Sequence, residues 1–189
     1  MSRITNINDR INLSLSSVEK IKEISPEIET AIELLIKQIK KGGTIFWCGN
    51  GGSAADAQHM STELMGKLNS FRKPIKSISL TTDSSFITAW SNDYSFDEIF
   101  SRQLEGLAEK NDILIAITTS GRSKNIIKAL QYAKKINMKS IILTSQNAPK
   151  ESYELSDIKL LVQSENTQHI QECFLIIEHI ICENLDSFS

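Results

Sequence analysis

Apolar residues along this chain recur with two different spacings. Short, mainly apolar runs at 44–48, 112–117, 140–144 and 158–162, among them Thr44-Ile45-Phe46-Trp47-Cys48 and Asp112-Ile113-Leu114-Ile115-Ala116-Ile117, predict strands, as does Ile75-Lys76-Ser77-Ile78-Ser79-Leu80. Runs apolar at consecutive positions suit strands buried on both faces. Between the runs the spacing is helical. Leu15, Val18, Ile21 and Ile24 mark one helix over 11–24. Ser25-Pro26 interrupts it, and Ile28, Ala31, Ile32, Leu35, Ile36 and Ile39 then mark a second helix that ends at Gly42-Gly43. Their stripes are generous for elements lying outside a sheet, so they pack either on their own domain or between subunits. Thr81-Thr82-Asp83 caps a short helix through Trp90, followed by a loop at 91–94 and a helix over 97–109. An amphipathic helix over 124–136 and an irregular stretch at 146–154 come next. The last helix, 167–185, is apolar over most of its surface, so its polar residues Gln171, Glu172, Glu178 and His179 need reasons.

Two strand ends carry candidate chemistry. After the 44–48 strand, Gly49-Asn50-Gly51-Gly52-Ser53 places three glycines within four positions, enough to turn the chain sharply and aim backbone N–H groups at one point. Ser53 is the expected N-cap of the helix that follows, whose positive end faces any anion in the turn. The turn alone is equally consistent with a tight strand-to-helix connection. His59 and Glu63, spaced i, i+4, share a face of that helix, as a metal-holding or acid/base pair or as a solvated surface pair. After the 112–117 strand, Thr118-Thr119-Ser120-Gly121-Arg122-Ser123 offers hydroxyls and backbone N–H groups at a helix start, which suits a phosphate monoester. A capped turn is the plainer reading, but ligands of open α/β sheets bind at the carboxyl ends of strands.

Composition narrows the classes. The chain has 189 residues, 40% hydrophobic and 23% charged, which suits one globular domain over 1–189. A formal net charge of -2 with both signs scattered provides neither a basic stripe for nucleic acid nor a polybasic patch for membranes. Cys48, Cys173 and Cys182 sit in apolar runs at no metal-ligand spacing, and an odd count argues against a disulfide framework. The first nine residues lack the apolar run of a signal peptide, so a cytoplasmic location is expected.

Taken in order, Gly49-Asn50-Gly51-Gly52-Ser53, His59 with Glu63, Asn92-Asp93, Thr118-Thr119-Ser120-Gly121-x-Ser123, and Ile170-Gln171-Glu172 with His179 resemble the phosphoheptose isomerases of the sugar isomerase (SIS) superfamily. The resemblance spans nearly the whole chain. It implies a flavodoxin-like three-layer αβα sandwich with a central parallel sheet, preceded by a helical extension over 1–43 used in oligomerisation, and a homotetramer with sites at subunit interfaces. It implies conversion of sedoheptulose 7-phosphate to glycero-manno-heptose 7-phosphate, on the way to bacterial surface heptose. Glu63 and His179 would be the acid/base pair, and His59, Glu63, Gln171 and His179 would match zinc ligands. Asn50, Gly51, Gly52, Ser53, Glu63, Asn92, Asp93, Thr118, Thr119, Ser120, Ser123 and Gln171 would line the substrate. An isomerase of another ketose phosphate, or a non-catalytic SIS protein binding a sugar phosphate or a protein, are the alternatives. The chain departs from the family pattern at Lys67, Arg122, His169 and Phe174, with His169 expected to be an exposed helix-start residue. Gln171 and His179 stand about 12 Å apart along a helix axis, so a neighbouring subunit is expected to contribute part of each site.

Overall fold

Five parallel strands form the centre of the computed structural model, which describes residues 6–69 and 71–188. They are β1 (Ile45–Gly49), β2 (Ser77–Ser79), β3 (Ile113–Ile117), β4 (Lys139–Ser145) and β5 (Ile158–Val162), in the order β2-β1-β3-β4-β5. That order is the doubly wound, flavodoxin-like one, with its switch point between β1 and β3. Register pairs Ile45 with Ile113 and Gly49 with Ile117, so the turns after β1 and β3 leave the sheet side by side at the same level.

The helices are α1 (Ile7–Glu19), α2 (Ser25–Lys40), α3 (Gly52–Met65), α4 (Ser84–Asp93), α5 (Ile99–Leu107), α6 (Lys124–Lys135), α7 (Lys150–Tyr153) and α8 (Thr167–Phe188). Strand side chains alternate between two cores. Ile45, Trp47, Ile113, Ile115 and Ile117 join Leu35 of α2, Met60 and Leu64 of α3, and Phe174 and Ile177 of α8. Phe46, Cys48, Leu114 and Ala116 point the other way, to Phe100 and Leu104 of α5 and to Ile126 and Leu130 of α6. Three layers result. The cysteines Cys48, Cys173 and Cys182 are free and buried in these cores, and no helix among the described residues is long and apolar enough to cross a membrane.

The differences from the sequence reading have local causes. The first helix begins earlier, at Ile7, because the Asn6 side chain accepts from the Asn8 and Asp9 N–H groups, and it tightens to a 3-10 turn over Lys20–Ile24. The segment read as irregular at 146–154 contains α7, which opens after Pro149. α4 runs on through Asn92 and Asp93, where the sequence predicts a loop. The expected 97–109 helix splits into a 3-10 turn, Phe96–Glu98, and α5. β2 pairs with β1 over three residues only, as an edge strand bounded by loops. Of the nine N-terminal residues on which the signal-peptide reading rests, 1–5 lie outside the described residues.

Candidate active site

The turn after β1 is built on Gly51, whose φ of 57° and ψ of -121° suit glycine. Gly51, rather than Ser53, is the N-cap of α3, and no side chain caps the helix. The Asn50 carbonyl accepts from Ser53 N–H at 3.1 Å, which starts the helix early and leaves Ser53 buried in its first turn. Gly52 has a different role. A Cβ there would strike the side-chain amide of Gln171 on α8, so the bare glycine lets that amide lie against the turn.

Two turns further along both helices a second meeting occurs. His59 Nε2 lies 3.1 Å from Glu63 Oε1, and the His59 and His179 ring centroids are 5.2 Å apart, edge to face. The His59 side chain is 45% exposed and that of Glu63 18%, so the pair opens to solvent from a partly dry wall. Arg72 holds that wall from behind. Its Nη2 donates to the Glu63 carbonyl and its Nη1 to the Leu64 carbonyl, each at 2.9 Å, while its Nε donates to buried Asp186 of α8 at 2.7 Å.

Behind the imidazoles lies an acidic pair. Glu178 is fully buried, and neither of its carboxyl oxygens has a hydrogen-bond partner among the described residues; nor has Asp56 Oδ2. Burial, with the negative charge of Asp56 adding to it, pushes the Glu178 carboxyl up to about 8. Burial also raises Asp56, against a smaller opposing pull from His59.

The turn after β3 closes on its own hydroxyls. Thr118 Oγ1 accepts from Gly121 N–H and Ser120 Oγ from Arg122 N–H, both at 3.2 Å, so each O–H remains available to donate. Ser123 is the N-cap of α6 by position, yet its side chain makes no capping bond. The hydroxyls therefore do less capping than the plainer sequence reading requires. A cavity of about 400 Å³ lies beside them, lined by Thr119, Ser120, Arg122, Ser145, Asn147 and Thr167 among others. The two turns are joined by a reciprocal amide pair. Asn50 Nδ2 donates to Asn125 Oδ1 at 2.9 Å, and Asn125 Nδ2 donates back to Asn50 Oδ1 at 2.8 Å.

Of the residues named from sequence, the fold thus gathers His59, Glu63 and His179 at one place. Gln171 lies with Gly52 at the glycine turn, and Thr118, Thr119, Ser120 and Ser123 lie on the neighbouring turn. Asn92 and Asp93 are exposed at the end of α4, where Asn92 donates to Asp93 at 2.8 Å. His169 is 6% exposed, against the expectation of an exposed helix start, because it faces inward in the first turn of α8. The sequence alone does not point to Asp56, Arg72 or Asn125. The sequence signals for them were a carboxylate one turn before His59, an arginine in a loop, and an asparagine two residues past a serine cap. None has a local reason to be functional.

Zinc takes imidazole and carboxylate donors, which is the chemistry of His59, Glu63 and His179. Among the described residues no group of three or more His, Cys, Asp or Glu forms a ready metal site, and Gln171 sits two helical turns from His179. One chain supplies the donors without closing them around a point.

A doubly wound sheet whose two switch-point turns leave side by side, flanked by paired helices that bring His59, Glu63 and His179 together, defines a class; the SIS domain family model matches residues 9–145. Within that class, the phosphoheptose isomerase of Helicobacter hepaticus is 43% identical over 97% of this chain and 93% of its own length. That of Aliarcobacter butzleri is 45% identical over 90% of each chain. The solved structure of phosphoheptose isomerase GmhA from Neisseria gonorrhoeae superposes with a TM-score of 0.89 at 35% identity, covering 96% of this chain and 97% of that one. The chain belongs to the phosphoheptose isomerases, and it is an isomerase.

Proposed function

We propose that this enzyme interconverts sedoheptulose 7-phosphate and D-glycero-D-manno-heptose 7-phosphate through an enediolate, in the cytoplasm, supplying heptose for a bacterial surface polysaccharide such as lipopolysaccharide or capsule. The observation that supports it most is the meeting of Glu63 and His59 on α3 with His179 on α8. Moving a carbonyl from C2 to C1 requires a base for the C1 proton and an acid beside O2. Glu63 takes the C1 proton, the C1–H electrons form the C1=C2 bond, and the C2=O π electrons move onto the C2 oxygen to give the enediolate, with His179 beside that oxygen as the acid that protonates it. In the second half a proton returns to C2, O1 loses its own, and C1=O forms. The hydroxyls of Thr118, Thr119, Ser120 and Ser123 anchor the phosphate at the far end, and that binding energy positions the reacting carbons. Asn50, Gly51, Gly52, Gln171, Asn92 and Asp93 complete the contacts to the sugar in this reading.

Zinc is part of the proposal: His59, Glu63 and His179 would hold it, with a Gln171 supplied by a neighbouring copy. Such an ion polarises a carbonyl and stabilises enediolate oxygens. A homotetramer accords with the apolar stripe of Ile7, Ile11 and Leu15 on α1, each more than half exposed.

Incubation of the purified protein with sedoheptulose 7-phosphate in deuterium oxide, followed by NMR, tests the reaction. Aldose with carbon-bound deuterium is expected, falling by roughly 10²–10⁴ in Glu63→Gln and His179→Ala. Elemental analysis of the same preparations is expected to show zinc that His59→Ala loses. No turnover and no exchange with zinc present would overturn the assignment.

A further inference from the structure

The two turns at the ends of β1 and β3 carry different parts of the proposed reaction. One begins the helix that bears His59 and Glu63; the other carries the hydroxyls. Their side-by-side exit from the sheet does not itself lock them together, since each is a separate loop. The reciprocal amide pair does. Two primary amides facing each other satisfy a donor and an acceptor on both sides, so the pair holds one relative orientation. Asn125 is fixed from its own side as well. It is 2% exposed, and its Oδ1 also accepts from Ile126 N–H at 3.0 Å, which ties the amide to the first turn of α6.

We propose that Asn125 is a positioning residue that clasps the glycine turn to the hydroxyl turn through Asn50, so that an anion held by the hydroxyls sets the geometry of the α3 start. The inference rests on the reading of the hydroxyl turn as the phosphate anchor. The clasp uses one N–H and one acceptor site of Asn50 and leaves its second N–H directed away from Asn125. Asn50 thus meets the sugar with an orientation chosen by α6. Binding energy released at the phosphate reaches the reacting carbons through a rigid connection. Aspartate at position 125 would keep the shape but place an oxygen against Asn50 Oδ1, breaking one of the two bonds.

The test is a titration of the isotopically labelled full chain with inorganic phosphate, observed by amide NMR, with Asn125→Ala and Asn125→Asp beside the wild type. In the wild type the Thr119, Ser120, Gly51 and Gly52 signals are expected to shift together. In Asn125→Ala, Thr119 and Ser120 should still titrate with a dissociation constant within about threefold of wild type while Gly51 and Gly52 no longer respond; Asn125→Asp, which keeps one of the two bonds, should leave a reduced Gly51 and Gly52 response. With sedoheptulose 7-phosphate, kcat is expected to fall about tenfold or more, with KM changing far less. In an Asn50→Ala background the Asn125→Ala step should change kcat less than twofold, since the bond is already gone. Equal Gly51 and Gly52 shifts in wild type and variants, or additive effects of the two alanines, would overturn the clasp. Absence of any shift at Thr119 and Ser120 in the wild type would instead overturn the phosphate anchor, and the clasp's coupling with it. Loss of melting temperature alone, with kcat and the shifts intact, would reduce Asn125 to a structural pin and refute the proposal.

Discussion

A carboxyl group sealed from water with no donor beside it keeps its proton well above the usual range, and Glu178 is in that position. Between its ordinary value of 4.5 and its folded value of about 8, the unfolded chain has released this proton while the folded one retains it. Folding stability therefore falls as pH rises through that window, by up to about 1.4 kcal/mol per pH unit, and the loss is absent below it. Glu178→Gln is expected to flatten this slope, read as urea midpoints at pH 5 and pH 8; parallel curves for variant and wild type would contradict it. Two glycines separate function from stability in a similar way. Alanine at Gly52 displaces only the movable end of Gln171, so Gly52→Ala should lower turnover with a stability cost under about 1 kcal/mol. Gly121 has a φ of 63°, and a Cβ there would meet Ala148 Cβ at 2.6 Å. Gly121→Ala should cost about 1–3 kcal/mol, measured by thermal melting, and should distort the hydroxyl turn as well.

At the scale of elements, Arg72 ties α3 to α8, which also share an apolar core. Its pair with Asp186 is 4% and 3% exposed, and its other nitrogens hold the carbonyls at the end of α3. Removing one partner of a buried ion pair costs about 3–5 kcal/mol, so Arg72→Met should lower the unfolding free energy by that order. It should also reduce kcat, because Glu63 is held by its own carbonyl. Retention of both would show that packing alone sets the helix pair. These elements were largely legible in advance. Apart from β2, which lies in the mixed run Ile75–Leu80, the strands were largely apolar runs, and the last helix had a long apolar pattern. What the sequence could not show was contact between elements. His59 and Glu63 were visible as neighbours because a helix turn relates them, whereas Asn125 meets Asn50 only after β1 and β3 pair. Arg72 reaches Asp186 across 114 positions for the same reason. The cap of α3 was misplaced because a glycine with positive φ replaced the side-chain cap that Ser53 suggested.

For the whole molecule, the outer surface of the N-terminal helices carries the next expectation. Ile7, Ile11 and Leu15 recur every fourth residue along α1 and stay exposed, and a groove of about 430 Å³ lined by Val18, Ile21, Ile28, Ile32, Ile176 and Ile180 lies among the end of α1, the turn that follows it, α2 and α8. A replacement pair, Ile11→Glu with Leu15→Glu, should shift the mass seen by light scattering from oligomer toward monomer with the melting temperature little changed. Activity should fall with the assembly if a neighbouring Gln171 takes part. An unchanged mass would leave α1 a surface helix of each chain. The three thiols offer a different reading of the molecule. Cys48 lies in β1 and Cys173 and Cys182 in α8, all buried, with their thiols pushed up by burial. A thiol reagent added to the intact enzyme therefore finds almost nothing to attack and must wait for the fold to open. The rate of modification becomes a clock for that opening: Cys48 times the sheet and the other two time the last helix, on a single sample and without any introduced label.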